Sequence, residues 1–118
     1  MRLIKEPKVF YRVCNTETQQ GLWYNFKGRF TGLIHNEFNF CEHNKLEMDF
    51  DSALKGYLSS AESLEGLYFW FPQQDIFKLQ EHGFKIHEYE STDYWFYERF
   101  QHMVINQENA KLLKVITL

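Results

Sequence analysis

The chain has 118 residues, 44% of them hydrophobic and 25% charged, with two Pro and six Gly; this composition fits one globular domain and excludes a disordered or collagenous chain. The longest unbroken apolar run, Leu67 to Phe71, is far short of the roughly 20 residues a membrane-spanning helix needs. With no charged-then-apolar leader at the start, the expectation is a cytoplasmic protein, and the formal net charge of −3 opposes nonspecific attraction to nucleic acid or an anionic membrane.

The first expected element is a strand over Lys8 to Cys14, where β-branched and aromatic residues alternate between two faces. A polar turn over Asn15 to Gly21 leads back into extended structure at Leu22-Trp23-Tyr24, which reads as a hairpin. Asp49 to Leu58 suggests a short helical turn. Ser59-Ser60-Ala61-Glu62 has the spacing of a capping box, so a helix is expected over 60–71, with Leu64, Leu67, Tyr68 and Phe71 as its core stripe. Pro72 stops that helix and opens a second over 73–82, with Ile76, Phe77 and Leu79 on its apolar side and Gly83 as terminator.

Phe84 to Glu90 alternates apolar and polar residues with period two, the pattern of a strand in a sheet with one wet face. Asp93 to Glu98 reads as a strand or a turn of helix, and Gln101 to Asn106 and Lys111 to Leu118 as strands. Strands at both ends of the chain and two consecutive helices between them define an α+β domain with one mainly antiparallel sheet.

Charge is graded along the chain. Residues 1–30 carry six basic and two acidic side chains, residues 31–110 carry five and fourteen, and Lys111 and Lys114 close the sequence. Two readings follow: basic and acidic strands pair as neighbours within the fold, or the surface is bipolar and engages a partner. Cys14 and Cys41 are expected to be free thiols, with no sign that either is activated. His35, Cys41 and His43 lack the pair spacing of a zinc site, and Glu47, Asp49 and Asp51 read first as a solvated edge, so no metal is expected.

Aromatic residues are in surplus, at 19% of the chain, more than one small core usually absorbs, which places some rings at a binding surface. Trp23, Tyr24, Phe26, Lys27 and Arg29 interleave rings with cations around Gly28, the residue types that meet single-stranded nucleic acid, although the overall acidity works against that partner. Tyr94 and Trp95, in the run Tyr94 to Tyr97, are the other candidate anchors for a protein partner; core packing is the plainer reading of that run. A homodimer would also hide surplus rings.

The sequence resembles small uncharacterised proteins of bacteriophages and related mobile elements, through Phe10-Tyr11-Arg12-Val13, Gly21-Leu22-Trp23-Tyr24, Ser63-Leu64-Glu65-Gly66-Leu67 with Trp70-Phe71, Leu79 to Tyr89, and Gln101 to Ile105. That resemblance implies a noncatalytic accessory protein, without a cofactor, that binds and modulates a host or defence-system protein. A weaker resemblance, to the ADP-ribosyltransferase fold, implies NAD as cofactor. On that reading Arg12 would hold the dinucleotide, Ser59 and Ser60 would line the nicotinamide pocket, and Gln101 or Glu108 would take the place of the catalytic carboxylate. Gln101 lacks the charge that an oxocarbenium-like transition state calls for.

Overall fold

The computed structural model describes residues 6–18, 56–98 and 102–118. In chain order the elements are β1 (Lys8–Asn15), β2 (Tyr57–Ser60), helix α1 (Leu64–Trp70), helix α2 (Gln73–Leu79) continued by a 3₁₀ turn (Gln80–His82), β3 (Phe84–Ser91), β4 (Tyr94–Tyr97), β5 (His102–Asn106) and β6 (Lys111–Ile116). The class is α+β, with two consecutive helices and antiparallel strands. The strands divide between two three-stranded sheets, ordered β1-β3-β6 and β2-β5-β4. A bridge ties them together, Tyr11 and Ala61 exchanging two backbone hydrogen bonds of 2.8 Å.

The charge gradient resolves into strand pairing. The acidic strand β3, with Glu88 and Glu90, lies between basic β1 and basic β6. Glu88 is in register with Lys114 and Glu90 with Lys111, and Lys114 Nζ lies 3.9 Å from Glu88. Opposite charges directly across an antiparallel pair support that pairing.

The alternation in β3 leads to a different burial from the one expected. Phe84 and Ile86 pack with Val13, Leu67, Phe71, Ile76 and Leu79, placing one face of the β1–β3 pair against the helices. Tyr89 joins Phe10, Leu58, Tyr94 and Ile105 in a second core with residues of the other sheet. Ile86 and His87 are adjacent and both fully buried, so this central strand has no wet face. Its period-two pattern changes phase between Ile86 and Tyr89 because each face meets a separate core.

Three local details depart from expectation. Ser59 and Ser60 do not cap a helix; they pair with Val104 and Met103 of β5. The cap is Ser63, whose hydroxyl accepts from the Gly66 amide at 3.0 Å, so α1 begins at Leu64. Tyr57 and Leu58, expected at the end of a helical turn, likewise belong to β2. On α2, Asp75, Ile76 and Leu79 are buried, whereas Phe77 is 59% exposed; it lies about 200° around the helix from Asp75 and points away from the core.

Gly83 ends the second helical segment as anticipated, with φ of 87° in the left-handed region. A Cβ there would sit 3.3 Å from the Asn15 side-chain nitrogen. Gly83→Ala is therefore expected to lower stability by about 1–2 kcal/mol, seen as a lower urea midpoint. At the other end of β3, Asn109 Oδ1 accepts from Ser91 Oγ at 2.7 Å and from the amides of Thr92 and Asp93 at 2.8 and 3.1 Å. Asn106 Nδ2 donates to Asp93 at 2.8 Å, and these bonds lock the β3–β4 turn to the β5–β6 turn.

Candidate functional site

Two constellations stand out, one inside the fold and one on its surface. The inner one follows from the β1–β3 register, which sets Phe10 opposite Tyr89, Arg12 opposite His87 and Cys14 opposite Lys85. Directly opposed residues share a face, so Arg12, Cys14, His87 and Tyr89 all lie on the side turned away from the helices. All four are buried, Cys14 and His87 completely. Burying so many polar groups costs several kcal/mol unless they satisfy one another.

Much of that satisfaction is visible. Arg12 Nη1 donates to the Ser59 carbonyl at 3.3 Å. His87 Nδ1 lies 2.9 Å from the Lys85 carbonyl; a carbonyl only accepts, so Nδ1 carries the proton. Nε2 is buried and makes no hydrogen bond among the described residues. His87 and Cys14 lie on the same face of the strand pair, and each shifts the other's protonation. Cys14 Sγ and Tyr89 Oη are 4.0 Å apart, and the His87 and Tyr89 rings stack at 6.4 Å.

These neighbours set the protonation. Burial pushes the Cys14 thiol up, but the Arg12 guanidinium and the His87 imidazole together outweigh it and hold the thiol below its ordinary value. Burial pushes His87 down, while the Cys14 sulfur and the Lys85 carbonyl, against Arg12, carry it above the usual imidazole range. Burial and the charge at Cys14 push the Tyr89 hydroxyl well up. Each of the two groups thus shifts the other toward its charged form. That is the chemistry of an activated nucleophile and its base, yet the sulfur has no exposed surface.

Cys14 is a free thiol, as the sequence leads one to expect, and its fold neighbours lower it. Of the two groups that lower its thiol, Arg12 lies two residues away on β1 and His87 more than 70 residues away on β3. Arg12-x-Cys14 and His87-x-Tyr89 each have the spacing that puts two polar residues on one strand face, and this was the available signal.

The surface constellation is a string of rings. The β2–β5–β4 register puts Tyr57, Trp95, Tyr97 and His102 on one face of the second sheet. Tyr57 meets Trp95 at 6.0 Å between centroids, Trp95 meets Tyr97 at 5.7 Å, and Tyr97 meets His102 at 5.7 Å. From α1, Trp70 meets His102 at 5.8 Å, and Phe69 meets Trp70 at 6.2 Å. All five contacts are edge-on, the geometry that ring quadrupoles prefer. Tyr97 and His102 are buried; Tyr57, Trp70 and Trp95 are half-buried, and Phe69 is 74% exposed.

Among the residues singled out from sequence, Trp95 is in this string. Tyr94 is not: it is buried in the second core and donates to the Glu6 carbonyl at 2.9 Å, and the exposed ring of its strand is Phe96. Arg12 and Ser59 do meet, but through the Ser59 backbone and inside the fold. Ser60 Oγ donates to the Met103 carbonyl at 3.4 Å, and Glu108 is exposed in the β5–β6 turn. Trp23, Tyr24, Phe26, Lys27, Arg29, Gln101 and the groupings around Cys41 and Asp49 lie outside the described residues. Among those described, no cluster of His, Cys, Asp and Glu could hold a metal ion, and no helix is long and apolar enough to cross a membrane.

The architecture thus defines an antiparallel α+β fold with one aromatic surface string and one buried thiol cluster. Comparison with protein-family models, with curated proteins and with solved structures gives no match for this chain.

Proposed function

We propose that the protein works by binding rather than by catalysis: a cytoplasmic accessory protein, of the phage kind its sequence resembles, that engages and modulates a host or defence-system protein. The observation that carries this reading is the continuous string Phe69, Trp70, His102, Tyr97, Trp95 and Tyr57. Large, stiff, half-exposed rings lose little conformational freedom on binding, and Trp and Tyr dominate the energetics of protein interfaces. The Cys14 thiol is sealed from solvent, which favours binding over turnover. The overall acidity favours a protein partner over nucleic acid.

The test is affinity capture from a host lysate with the wild-type protein and a Phe69→Ala, Trp95→Ala variant, read by mass spectrometry. One stoichiometric partner is expected, bound about 30-fold or more weakly by the variant if Trp95 is a hot spot, with the variant's unfolding midpoint reported alongside. No partner, together with thermal stabilisation by NAD, would overturn the binding reading in favour of the transferase one.

A further inference from the structure

Among the described residues, β6 has a neighbour on one side only, β3. Its side chains are open to solvent on both faces, with Leu112, Leu113 and Val115 exposed by 42, 41 and 39%. An edge strand presents a row of unpaired amides and carbonyls, and charged side chains are one of the usual guards against a second chain. Here those charges face β3 carboxylates of the same sheet: Lys114 lies 3.9 Å from Glu88, and Lys111 is in register with Glu90. The end of the strand is held in place, the Leu118 amide donating to Gln80 Oε1 at 2.6 Å. The edge is therefore fixed, apolar at its centre and locally neutralised.

We propose that β6 pairs antiparallel with β6 of a second copy of this chain, about a two-fold axis between Leu113 and Lys114, joining two three-stranded sheets into one continuous sheet. The register supplies the argument. The β3–β6 pairing slips between Glu88 and Tyr89, so Leu112 aligns with Tyr89 and Val115 with His87, while Lys111, Lys114 and Ile116 align with Glu90, Glu88 and Ile86. The slip therefore puts Leu112 and Val115, three positions apart, on one face.

About the proposed axis, Leu112 lies opposite Val115 of the partner subunit, Lys111 opposite Ile116 of the partner subunit, and Leu113 opposite Lys114 of the partner subunit. Leu112 and Val115 share the face turned away from the helices; Lys111 and Ile116 share the other. Moving the axis by half a residue sets Leu112 against the partner's Lys114, on opposite faces. Moving it by a whole residue toward the start of the strand sets Lys111 against the partner's Lys114, two like charges. A neutral, apolar, self-complementary edge fits an identical edge better than it fits an acidic strand, because its lysines already face carboxylates.

The test is sedimentation of the full chain over a concentration series. The wild type is expected to move from the 14.4 kDa chain mass toward twice that value. Leu112→Glu with Val115→Glu sets carboxylates against carboxylates and should abolish the dimer; Leu112→Lys with Val115→Lys should do the same, and an equimolar mixture of the two variants should restore it. Hydrogen exchange at the β6 amides of the wild type should slow as concentration rises, a readout that needs no variant. A wild type that stays monomeric throughout, including one that instead takes up an acidic synthetic peptide at this edge, overturns the proposal. So does a dimer that the Leu112→Glu, Val115→Glu variant leaves intact.

Discussion

Arg12→Leu is expected to lower the unfolding free energy by about 3–5 kcal/mol, the usual result of removing one partner from a buried charge pair. The side chain is almost completely buried, and its guanidinium both donates to the Ser59 carbonyl and opposes the effect of burial on the Cys14 thiol. The loss should depend on pH in a defined sense. A thiol held below its ordinary value of 9.0 contributes stability that is fully present above that value and fades as the pH falls through the lowered one. The deficit of Arg12→Leu should accordingly be largest at alkaline pH and shrink on acidification, as the thiol protonates in both proteins.

His87 contributes with the opposite sign. Raised above 6.5, it gives stability that is complete below that value and lost as the pH rises through the raised one. Urea midpoints of wild type and variant, taken across a pH series, measure both slopes. A deficit that did not vary with pH would mean that Arg12 acts through its bond to Ser59 and its packing alone.

The second large effect is expected at Ile86. It is fully buried, beside Val13 of β1 and against Leu67, Ile76 and Leu79 of the helices. Ile86→Ala should cost about 2–5 kcal/mol, the lost transfer energy plus that of the cavity left behind. Phe77→Ala removes a larger side chain but an exposed one, and should stay within about 0.5 kcal/mol. The pair of unfolding curves separates burial from size, since the apolar patterns of β3 and α2 give both residues to the core.

What the sequence made legible was local. Gly83 announced the end of a helical segment because only a left-handed residue serves there, and Pro72 separated α1 from α2. The strands β1, β3, β5 and β6 were visible as β-branched or alternating runs, and one reading of the charge gradient had basic and acidic strands pairing as neighbours. What stayed hidden depended on register. Ser59 and Ser60 carried a helix-start signal that pairing with β5 overrode, and nothing within Phe84 to Ser91 announces that each face meets its own core.

The site was less legible than the fold. Trp95 was picked out from its neighbours' ring content, but Tyr57, Trp70 and His102 come from three other elements and join it only through tertiary packing. Cys14 looked inert because its nearest neighbours in sequence are apolar; Arg12 lies two residues away on the same strand, but His87, which also lowers the thiol, arrives from another. Tyr94 shows the converse, an aromatic whose identity suggests an interface and whose place on β4 puts it inside.

The pairing of β1 with β3 also carries a consequence for the order of assembly. From Tyr57 onward helix follows helix, β4 with β5 and β3 with β6 meet across modest separations, and β2 reaches β5 across more than 40 residues. Among the described strands β1 reaches farthest, closing a loop of some 70 residues to its place beside β3, an entropic cost of the kind that slows non-local β topologies. Cys14 travels with that strand and His87 waits on β3, so the two come together only when the loop closes. The cluster is thus a marker of the completed chain topology, absent from any partly assembled form in which β1 has not yet docked.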